Sequence, residues 1–202
     1  MRVAFLHVRQ SDELARKMVA SARRHMDCEI VQMCDDETAL PGCVAQRIPW
    51  DGGGLMEYRL QHLAQIPDGD TLILDADVIV QHDLSPLFAF PFDLALTKRY
   101  DPILDCDGTD LAKVMPYNTG VMFSRRQQFW AACYEWIKTA PPGARKWYGD
   151  QMAVAALAPA WNVLNLHCDN FNYSPETEGE EVSDRLVVHY KGERRKPWML
   201  RR

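Results

Sequence analysis

The sequence has no long hydrophobic run and no closely spaced pair of cysteines. Its first ten residues, MRVAFLHVRQ, contain only six apolar residues before Arg9, too few for a signal-peptide core or a membrane span. The six cysteines form no Cys-x-x-Cys pair, which excludes a zinc knuckle or a redox motif of that kind. Reduced thiols are typical of the cytosol, so we expect a cytoplasmic protein without an integral membrane segment.

The chain also has no basic excess and no internal repeat. Its formal net charge is −5 at pH 7, whereas general nucleic-acid-binding domains carry a strong positive charge. Hydrophobic residues make up 47% and charged residues 25% of the 202 residues, values typical of a soluble globular protein. This length suits one core, so we predict a single domain over residues 1–202 with one active cleft. Six cations occur in the last dozen residues, KGERRKPWMLRR, and form either a phosphate site or a solvated tail.

Strand-like and helix-like segments alternate along the chain, which predicts an α/β fold. Apolar runs predict strands at 3–8, 28–33, 44–48, 72–80, 93–97, 119–123, 162–166 and 185–189. Apolar residues at helical spacing predict helices after Ser11, at 55–65, at 125–139 and at 150–158. Two long polar connectors, 98–117 and 168–184, remain, and connectors of this length are typically lids or binding loops.

Two aspartates interrupt the apolar run LILDADVIV at residues 72–80. If this run is one strand, Asp75 and Asp77 point to the same side of it while Ala76 points away. Burying two neighbouring carboxylates requires a cation or a proton to cancel their charge. The pair lies near the carboxyl end of the run, where open α/β sheets bind ligands, and carboxylates suit Mg²⁺ or Mn²⁺. The alternative is an exposed pair that is solvated or caps the next helix.

A second acidic segment, ILDCDGTDL at residues 103–111, is similar to the Asp-x-Asp-Gly-Thr motif of haloacid-dehalogenase-type phosphohydrolases. In that family the motif follows a buried strand, whereas Asp101 and Pro102 leave no room for such a strand here. We therefore interpret Asp105 and Asp107 as part of a solvated acidic loop. A phosphohydrolase that uses these two residues remains an alternative function.

Several segments, in chain order, resemble the family 8 retaining glycosyltransferases of the glycogenin and lipopolysaccharide-galactosyltransferase type. The similar segments are Tyr58-Arg59-Leu60, LILDADVIVQHDLSPLF at 72–88, PYNTGVMF at 116–123, GDQ at 149–151 and HYKGERRKPW at 189–198. The resemblance covers most of the chain, and five motifs in the family's order are more specific than any one of them. It implies a GT-A (Rossmann-like) domain with a mostly parallel, mixed central sheet flanked by helices.

The resemblance also implies transfer of a hexose from a nucleotide-diphosphate sugar to a hydroxyl acceptor, with retention of anomeric configuration. Asp75, Asp77 and His189 are the implied ligands of Mn²⁺ or Mg²⁺, which would act as a Lewis acid on the departing diphosphate. Arg195 or Lys196 is expected to meet that diphosphate. The family's lysine lies six residues after its histidine, and this position is an arginine here.

The implied donor site includes further residues. Asp150 and Gln151 would line the sugar, and Asn118 would contact the donor sugar or the acceptor, so these three are the implied catalytic residues. The other implied substrate-binding residues are Val8, Gln10, Arg59, Ala76 and Gly192. A UDP-sugar is the expected donor, although Val8-Arg9-Gln10 stands where relatives carry acidic residues that read the uracil ring.

Several of these residues also have a purely structural interpretation. Asp150 suits the cap of the following helix, Asn118 suits a turn at the start of a strand, Arg59 suits an exposed helix position, and His189 suits a core or solvated strand end. For the whole protein, the alternative is a nucleotide-sugar-binding module without transferase activity. No motif identifies the acceptor: a glycan, a lipid-linked sugar, a protein side chain or a modified nucleic-acid base would each dock against the two connectors.

Overall fold

A seven-stranded mixed sheet with helices on both faces forms the centre of the computed structural model, which describes residues 1–104 and 106–202. The strands are β1 Arg2–Leu6, β2 Glu29–Cys34, β3 Val44–Arg47, β4 Thr71–Leu74, β5 Val78–Val80, β6 Leu94–Lys98, β7 Tyr117–Ser124, β8 Val163–His167 and β9 Val187–His189. The helices are α1 Asp12–His25, α2 Leu55–Leu63, α3 Leu111–Val114, α4 Gln127–Lys138, α5 Pro142–Trp147, α6 Gly149–Leu157, α7 Cys168–Phe171 and α8 Lys196–Arg201, with 3₁₀ turns at Ser85–Ala89 and Ala158–Ala160. The central strand order is β3-β2-β1-β4-β7-β6-β8, and β5 pairs with β9 in a separate sheet. The predicted α/β class with a mostly parallel, mixed sheet is confirmed.

The strand directions bring the ends of several strands to one edge of the central sheet. β1, β2, β3 and β4 run parallel, whereas β7 lies antiparallel between β4 and β6. The start of β7 therefore lies beside the end of β4, and the N–H of Asp75 donates to the carbonyl oxygen of Gly120 (2.9 Å). Residues that follow β1 and β4 share this edge, which is where open α/β sheets bind their ligands.

Both faces of the central sheet are buried, because alternate side chains of its strands pack into two layers. Val3, Phe5 and Leu72 pack on the face covered by α1 and the second sheet. Ala4 and Ile73 pack on the opposite face, against α2, α4 and α6. Each buried leucine, isoleucine or phenylalanine side chain contributes about 1.5–3 kcal/mol relative to an exposed one, so these layers fix how the strand ends are oriented.

Helix α2 buries two polar side chains, Arg59 and His62. Arg59 is 3% exposed and His62 is fully buried. The His62 ring packs edge-on against Tyr58, with 4.5 Å between ring centroids, and burial lowers the pKa of His62 to about 4. His62 is therefore a neutral ring at pH 7. Arg59 remains charged, so it needs partners of opposite charge in the interior.

The prediction of one strand at 72–80 was wrong. The structure divides this run into β4 and β5, which belong to different sheets, and Asp75, Ala76 and Asp77 form the turn between them. β5 pairs with β9, near the end of the sequence, so the change of sheet depends on a partner that no local pattern contains. The two aspartates owe their proximity to the turn and not to strand alternation.

Both connectors contain short helices that the sequence did not predict, α3 in the first and α7 in the second. α5 and α8 are also additional to the predicted elements. Asp105 of the phosphohydrolase-like motif lies outside the described residues, and Asp107 lies in a turn. Within the described ranges, no helix combines the length and the apolar character that a bilayer crossing requires.

Candidate active site

Three side chains predicted as metal ligands meet at the ligand-binding edge of the sheet. β9 ends at His189, which pairs with Val78 directly after the aspartate turn, and the N–H of Tyr190 donates to the carbonyl oxygen of Asp77 (2.8 Å). Nε2 of His189 lies 3.1 Å from Oδ1 of Asp77 and 3.6 Å from Oδ2 of Asp75. One ligand atom from each of the three residues lies within 4.8 Å of the others. Two carboxylate oxygens and one imidazole nitrogen form a donor set that suits Mn²⁺ or Mg²⁺.

Gly120 provides the space that the His189 ring occupies. A Cβ atom at position 120 would lie 2.5 Å from Nδ1 of His189 and closer still to Cε1. His189 is only 3% exposed, so the ring is packed on its other sides as well. The N–H of Gly120 donates to Oδ1 of Asn118 (2.9 Å), which fixes this part of the backbone. The glycine of the Asn-x-Gly motif is therefore explained by its contact with the imidazole.

Arg59 connects the buried carboxylate of Asp150 with the partly exposed carboxylate of Asp75. Its Nη1 lies 2.8 Å from Oδ2 of Asp150, and its Nη2 lies 2.9 Å from Oδ1 of Asp75. Thr119 also participates, because its carbonyl oxygen accepts from Nη2 of Arg59 (2.8 Å) and its hydroxyl donates to Oδ2 of Asp150 (2.8 Å). Arg59 and Asp150 are 3% and 1% exposed. The interpretation of Arg59 as an exposed helix residue is therefore wrong.

Asp150 also has a role at the start of α6. Its Oδ1 accepts the backbone N–H of Gln151 (2.8 Å), a donor of the first turn that would otherwise lack a partner in the helix. Oδ2 is the oxygen that binds Arg59 and Thr119. Stabilisation of the helix start and ion pairing thus use different oxygens of the same carboxylate.

Burial and neighbouring charges shift the pKa values of the two turn aspartates in opposite directions. Burial raises the pKa of Asp75, and the attraction of Arg59 and His189 offsets this only in part. Burial acts in the same direction on Asp77, but the attraction and hydrogen bond of His189 outweigh it, so the pKa of Asp77 is lowered. Burial would lower the pKa of Arg59, but the carboxylates of Asp75 and Asp150 outweigh it and raise that pKa. A divalent cation at the turn would supply the positive charge that Asp75 needs.

A cavity of about 230 Å³ lies beside this network. Nine residues predicted from the sequence line it, namely Val8, Gln10, Arg59, Asp75, Ala76, Asp77, Asp150, Gln151 and Lys196. The other lining residues were not predicted, and they are Leu6, Leu14, Leu55, Met56, Thr119 and Trp147. Trp147 is 72% exposed and gives the cavity an aromatic wall. Residues from six separate segments of the sequence are thus brought around one space.

Four predicted residues do not line the cavity in the described part of the chain. His189 belongs to the ligand cluster at the aspartate turn. Asn118 is 8% exposed, and its side-chain oxygen accepts from Asn172 (2.7 Å) as well as from the Gly120 backbone. Gly192 has a φ of +81°, a left-handed conformation that favours glycine, between β9 and α8. The fourth residue is Arg195.

Arg195 and Lys196 are neighbours in sequence but differ in their surroundings. Nε of Arg195 donates to the carbonyl oxygen of Pro175 (2.5 Å), so this side chain anchors the second connector. Lys196 lines the cavity, and its Nζ lies 2.6 Å from Oε1 of the exposed Glu193. A surface ion pair of this kind contributes little, so Lys196 is free to exchange Glu193 for a stronger anion.

The loop after β1 presents Val8 and Gln10 to the cavity while Arg9 is held elsewhere. Arg9 has a φ of 49°, which is uncommon for a residue other than glycine. Its Nε lies 2.9 Å from Oδ2 of Asp35, and its guanidinium lies 5.5 Å from the ring centroid of Trp50. These contacts hold the Arg9 side chain in place. Gln10 supplies the cavity with an amide that can both donate and accept hydrogen bonds.

No family model matches the sequence. Among solved structures, the chain is similar to the bifunctional glycosyltransferase WbbM, with a TM-score of 0.64 and 14% identity over 96% of this chain and 46% of that one. It is similar to the galactosyltransferase LgtC, solved with donor and acceptor sugar analogues, with a TM-score of 0.62 and 14% identity over 96% of this chain and 88% of LgtC. It is also similar to a glycosyltransferase involved in glycosylation of the major capsid of PBCV-1, with a TM-score of 0.67 and 16% identity over 98% and 99% of the two chains.

The chain spans about half the length of WbbM and nearly the full length of the PBCV-1 protein. These similarities establish the fold. The chain has the GT-A glycosyltransferase fold, as the sequence predicted.

Proposed function

We propose that this chain is a metal-dependent retaining glycosyltransferase that takes a hexose from a nucleotide-diphosphate sugar, with a UDP-sugar as the expected donor. The observation that carries the proposal is the cluster of Asp75, Asp77 and His189 beside a cavity that Lys196 also lines. An oxygen-rich divalent-cation site next to a lysine is suited to a diphosphate. The GT-A fold and the order of the family 8 motifs support the same function.

Mn²⁺ or Mg²⁺ bound by these three residues would act as a Lewis acid and neutralise negative charge on the leaving diphosphate. Lys196 would add a second positive charge to the same group. Asp150 and Gln151 would orient the sugar hydroxyls, since both line the cavity and Asp150 is held in place by Arg59. We retain Asn118 as a residue near the transferred sugar or the acceptor.

The acceptor would dock against the connectors 98–117 and 168–184, which carry no recognisable code. We further propose a cytoplasmic location. Each of the six cysteines is free, which is consistent with a reducing compartment.

The test of this function is metal-dependent stabilisation by donor. With Mn²⁺ and a UDP-sugar at about 100 times its Kd, the free energy of unfolding should rise by about 2.7 kcal/mol, and chelator should remove the effect. The double variant Asp75→Asn/Asp77→Asn should show no such rise. Asp27→Asn/Glu29→Gln is the matched control, because these exposed acids are also one residue apart and should leave the rise unchanged.

Turnover separates a transferase from a binding module. If the wild-type chain binds a UDP-sugar only with Mn²⁺ and then releases UDP by transfer or slow hydrolysis, the transferase is supported. Binding with no product over long incubation would instead support the nucleotide-sugar-binding module. A wild-type rate in the aspartate double variant would contradict the proposed site.

Replacing Lys196 and replacing Arg195 should have different effects on diphosphate binding. Lys196→Ala should weaken binding of UDP by about tenfold or more and leave the affinity for uridine unchanged, because it removes a charge-assisted contact to phosphate. Arg195→Ala should lower thermal stability, because it removes the hydrogen bond to Pro175. The ratio of the affinity for UDP to the affinity for uridine should stay at its wild-type value. Calorimetric titration of both ligands checks this, and the reverse pattern would assign the diphosphate to Arg195.

A further inference from the structure

Asn172 is a buried polar residue inside the connector 168–184, and no sequence motif points to it. It follows α7, is 3% exposed, and donates its backbone N–H to the carbonyl oxygen of Cys168 (2.8 Å). Its side chain lies between Asn118 and His189. A buried amide costs free energy unless its hydrogen bonds are made, so the direction of each bond matters.

The orientation of the Asn172 amide is fixed by two partners. Nδ2 donates to Oδ1 of Asn118 (2.7 Å) and to Oγ1 of Thr97 (3.0 Å). Oδ1 of Asn118 is an acceptor here, because it also accepts the backbone N–H of Gly120 (2.9 Å). The Thr97 hydroxyl uses its own proton on the carbonyl oxygen of Asn118 (2.7 Å), which leaves an oxygen lone pair for Asn172. The nitrogen of the Asn172 amide therefore points to this side, and its oxygen points to the other.

The oxygen of Asn172 faces Nδ1 of His189 at 2.7 Å. An amide oxygen only accepts hydrogen bonds, so Nδ1 of His189 must be the protonated donor. Nε2 is then the nitrogen that faces Asp77 and Asp75, at 3.1 Å and 3.6 Å. The imidazole is thus presented to the carboxylates with the correct nitrogen for coordination.

We propose that Asn172 is a positioning residue that holds a proton of His189 on Nδ1 and so directs Nε2 towards the position that a divalent cation would take beside the two aspartates. This inference rests on the proposed metal-dependent function and extends it to a residue outside the ligand set. The carboxamide also fixes the plane of the ring and increases the basicity of Nε2. Oδ1 of Asn118 accepts from Gly120 and from Asn172, and Asn172 in turn accepts from His189, so these hydrogen bonds link the start of β7 to the connector and to β9.

The test measures Mn²⁺ binding without donor or acceptor, by electron paramagnetic resonance of free Mn²⁺. Asn172→Ala should weaken Mn²⁺ binding about 10–100-fold, the usual effect of losing a partner of a metal-binding histidine. Gln32→Ala is the matched control, because Gln32 is also a fully buried amide, with its Nε2 3.3 Å from Nδ1 of His7. It should lose stability but keep a wild-type Kd for Mn²⁺.

The position of the proton gives a second readout that a general loss of stability would not change. In nitrogen-15 spectra of the wild-type chain, with or without Mg²⁺, His189 should carry a slowly exchanging proton on Nδ1, assigned by its absence in His189→Gln. In Asn172→Ala this proton should exchange faster and shift. If Asn172→Ala does not fold, Asn172→Asp keeps an oxygen towards Nδ1 and should retain the Nδ1 proton and Mn²⁺ binding, at some loss of stability because its second oxygen faces the acceptor Oδ1 of Asn118.

Different results would overturn the role of Asn172 and the metal-dependent function. Wild-type affinity for Mn²⁺ in Asn172→Ala, together with loss of binding in Asp75→Asn/Asp77→Asn, would overturn the role of Asn172 and leave the metal site intact. An unprotonated Nδ1 in the wild-type chain would also overturn it. A wild-type chain that binds no Mn²⁺ would overturn the metal-dependent function itself.

Discussion

Replacing Gly120 by alanine is expected to abolish metal binding at the proposed site while leaving most of the fold in place. The added Cβ would lie 2.5 Å from Nδ1 of His189, closer still to Cε1, and 3.0 Å from Oδ1 of Asn118. His189 is 3% exposed, so its ring cannot yield to the methyl group without leaving the two aspartates. We expect Mn²⁺ binding to weaken by at least the roughly 100-fold upper range seen for losing a partner of a metal-binding histidine, because here the histidine itself is displaced.

The measurements are the Kd for Mn²⁺ and the stabilisation by UDP-sugar with Mn²⁺. Gly143→Ala is the matched control, because a Cβ at that position in α5 would have no heavy atom within 4 Å apart from its chain neighbours and helix backbone. This control should keep wild-type Mn²⁺ affinity and be as stable or slightly more stable, since alanine restricts the unfolded chain. Wild-type affinity in Gly120→Ala would show that the ring has room to move and that the glycine serves another purpose.

The position of the aspartate pair could be predicted from the geometry of parallel sheets, whereas His189 was assigned to it only by the family resemblance. Segments at the carboxyl ends of parallel strands converge on one edge whatever lies between them, so Asp75 and the residues after β1 could be placed together without knowing the loops. Asp150 and Gln151 follow a helix and not a strand, so their place beside the cavity was predicted only by the resemblance of GDQ to the family 8 motif. The order of the five motifs along the chain made the prediction more specific than any single short motif does.

The turn itself could not be predicted, because its cause lies far along the chain. The apolar residues on both sides of the two aspartates give one continuous strand pattern, whereas β5 in fact leaves the central sheet to pair with β9. Asn172 escaped prediction for the same reason, since its neighbours His189, Asn118 and Thr97 come from three other segments. An asparagine in a polar connector carries no local signal of such contacts.

The burial of Arg59 could not be predicted from its position in a helix. On sequence alone, an arginine among leucine and tyrosine in α2 is compatible with an exposed face, and its partners Asp75 and Asp150 are distant in sequence. In the structure its charge is held in the interior by two carboxylates. The ion pairs therefore couple the position of Asp75, a proposed metal ligand, to Asp150 beside the cavity.

Arg59→Met is expected to lower the free energy of unfolding by about 3–5 kcal/mol, because it leaves Asp150 charged, 1% exposed and without its cation. This is a large share of the roughly 5–15 kcal/mol that stabilises a typical domain. Arg16→Met is the matched control, since Arg16 pairs with Asp12 on the surface, where both side chains are about half exposed, and should cost less than about 0.5 kcal/mol. Urea unfolding with the slope compared between variants checks both values.

The double variant Arg59→Met/Asp150→Leu tests why Arg59→Met loses stability. The loss comes either from a buried carboxylate left without a partner or from lost packing. If the loss in Arg59→Met comes from an unpaired buried carboxylate, removing that carboxylate should restore a substantial part of the stability, and the two substitutions should be strongly non-additive. If the losses simply add, the two side chains contribute as independent packing groups. Arg59→Met with wild-type stability would contradict the buried pair altogether, because an interior carboxylate without a partner cannot remain charged at no cost.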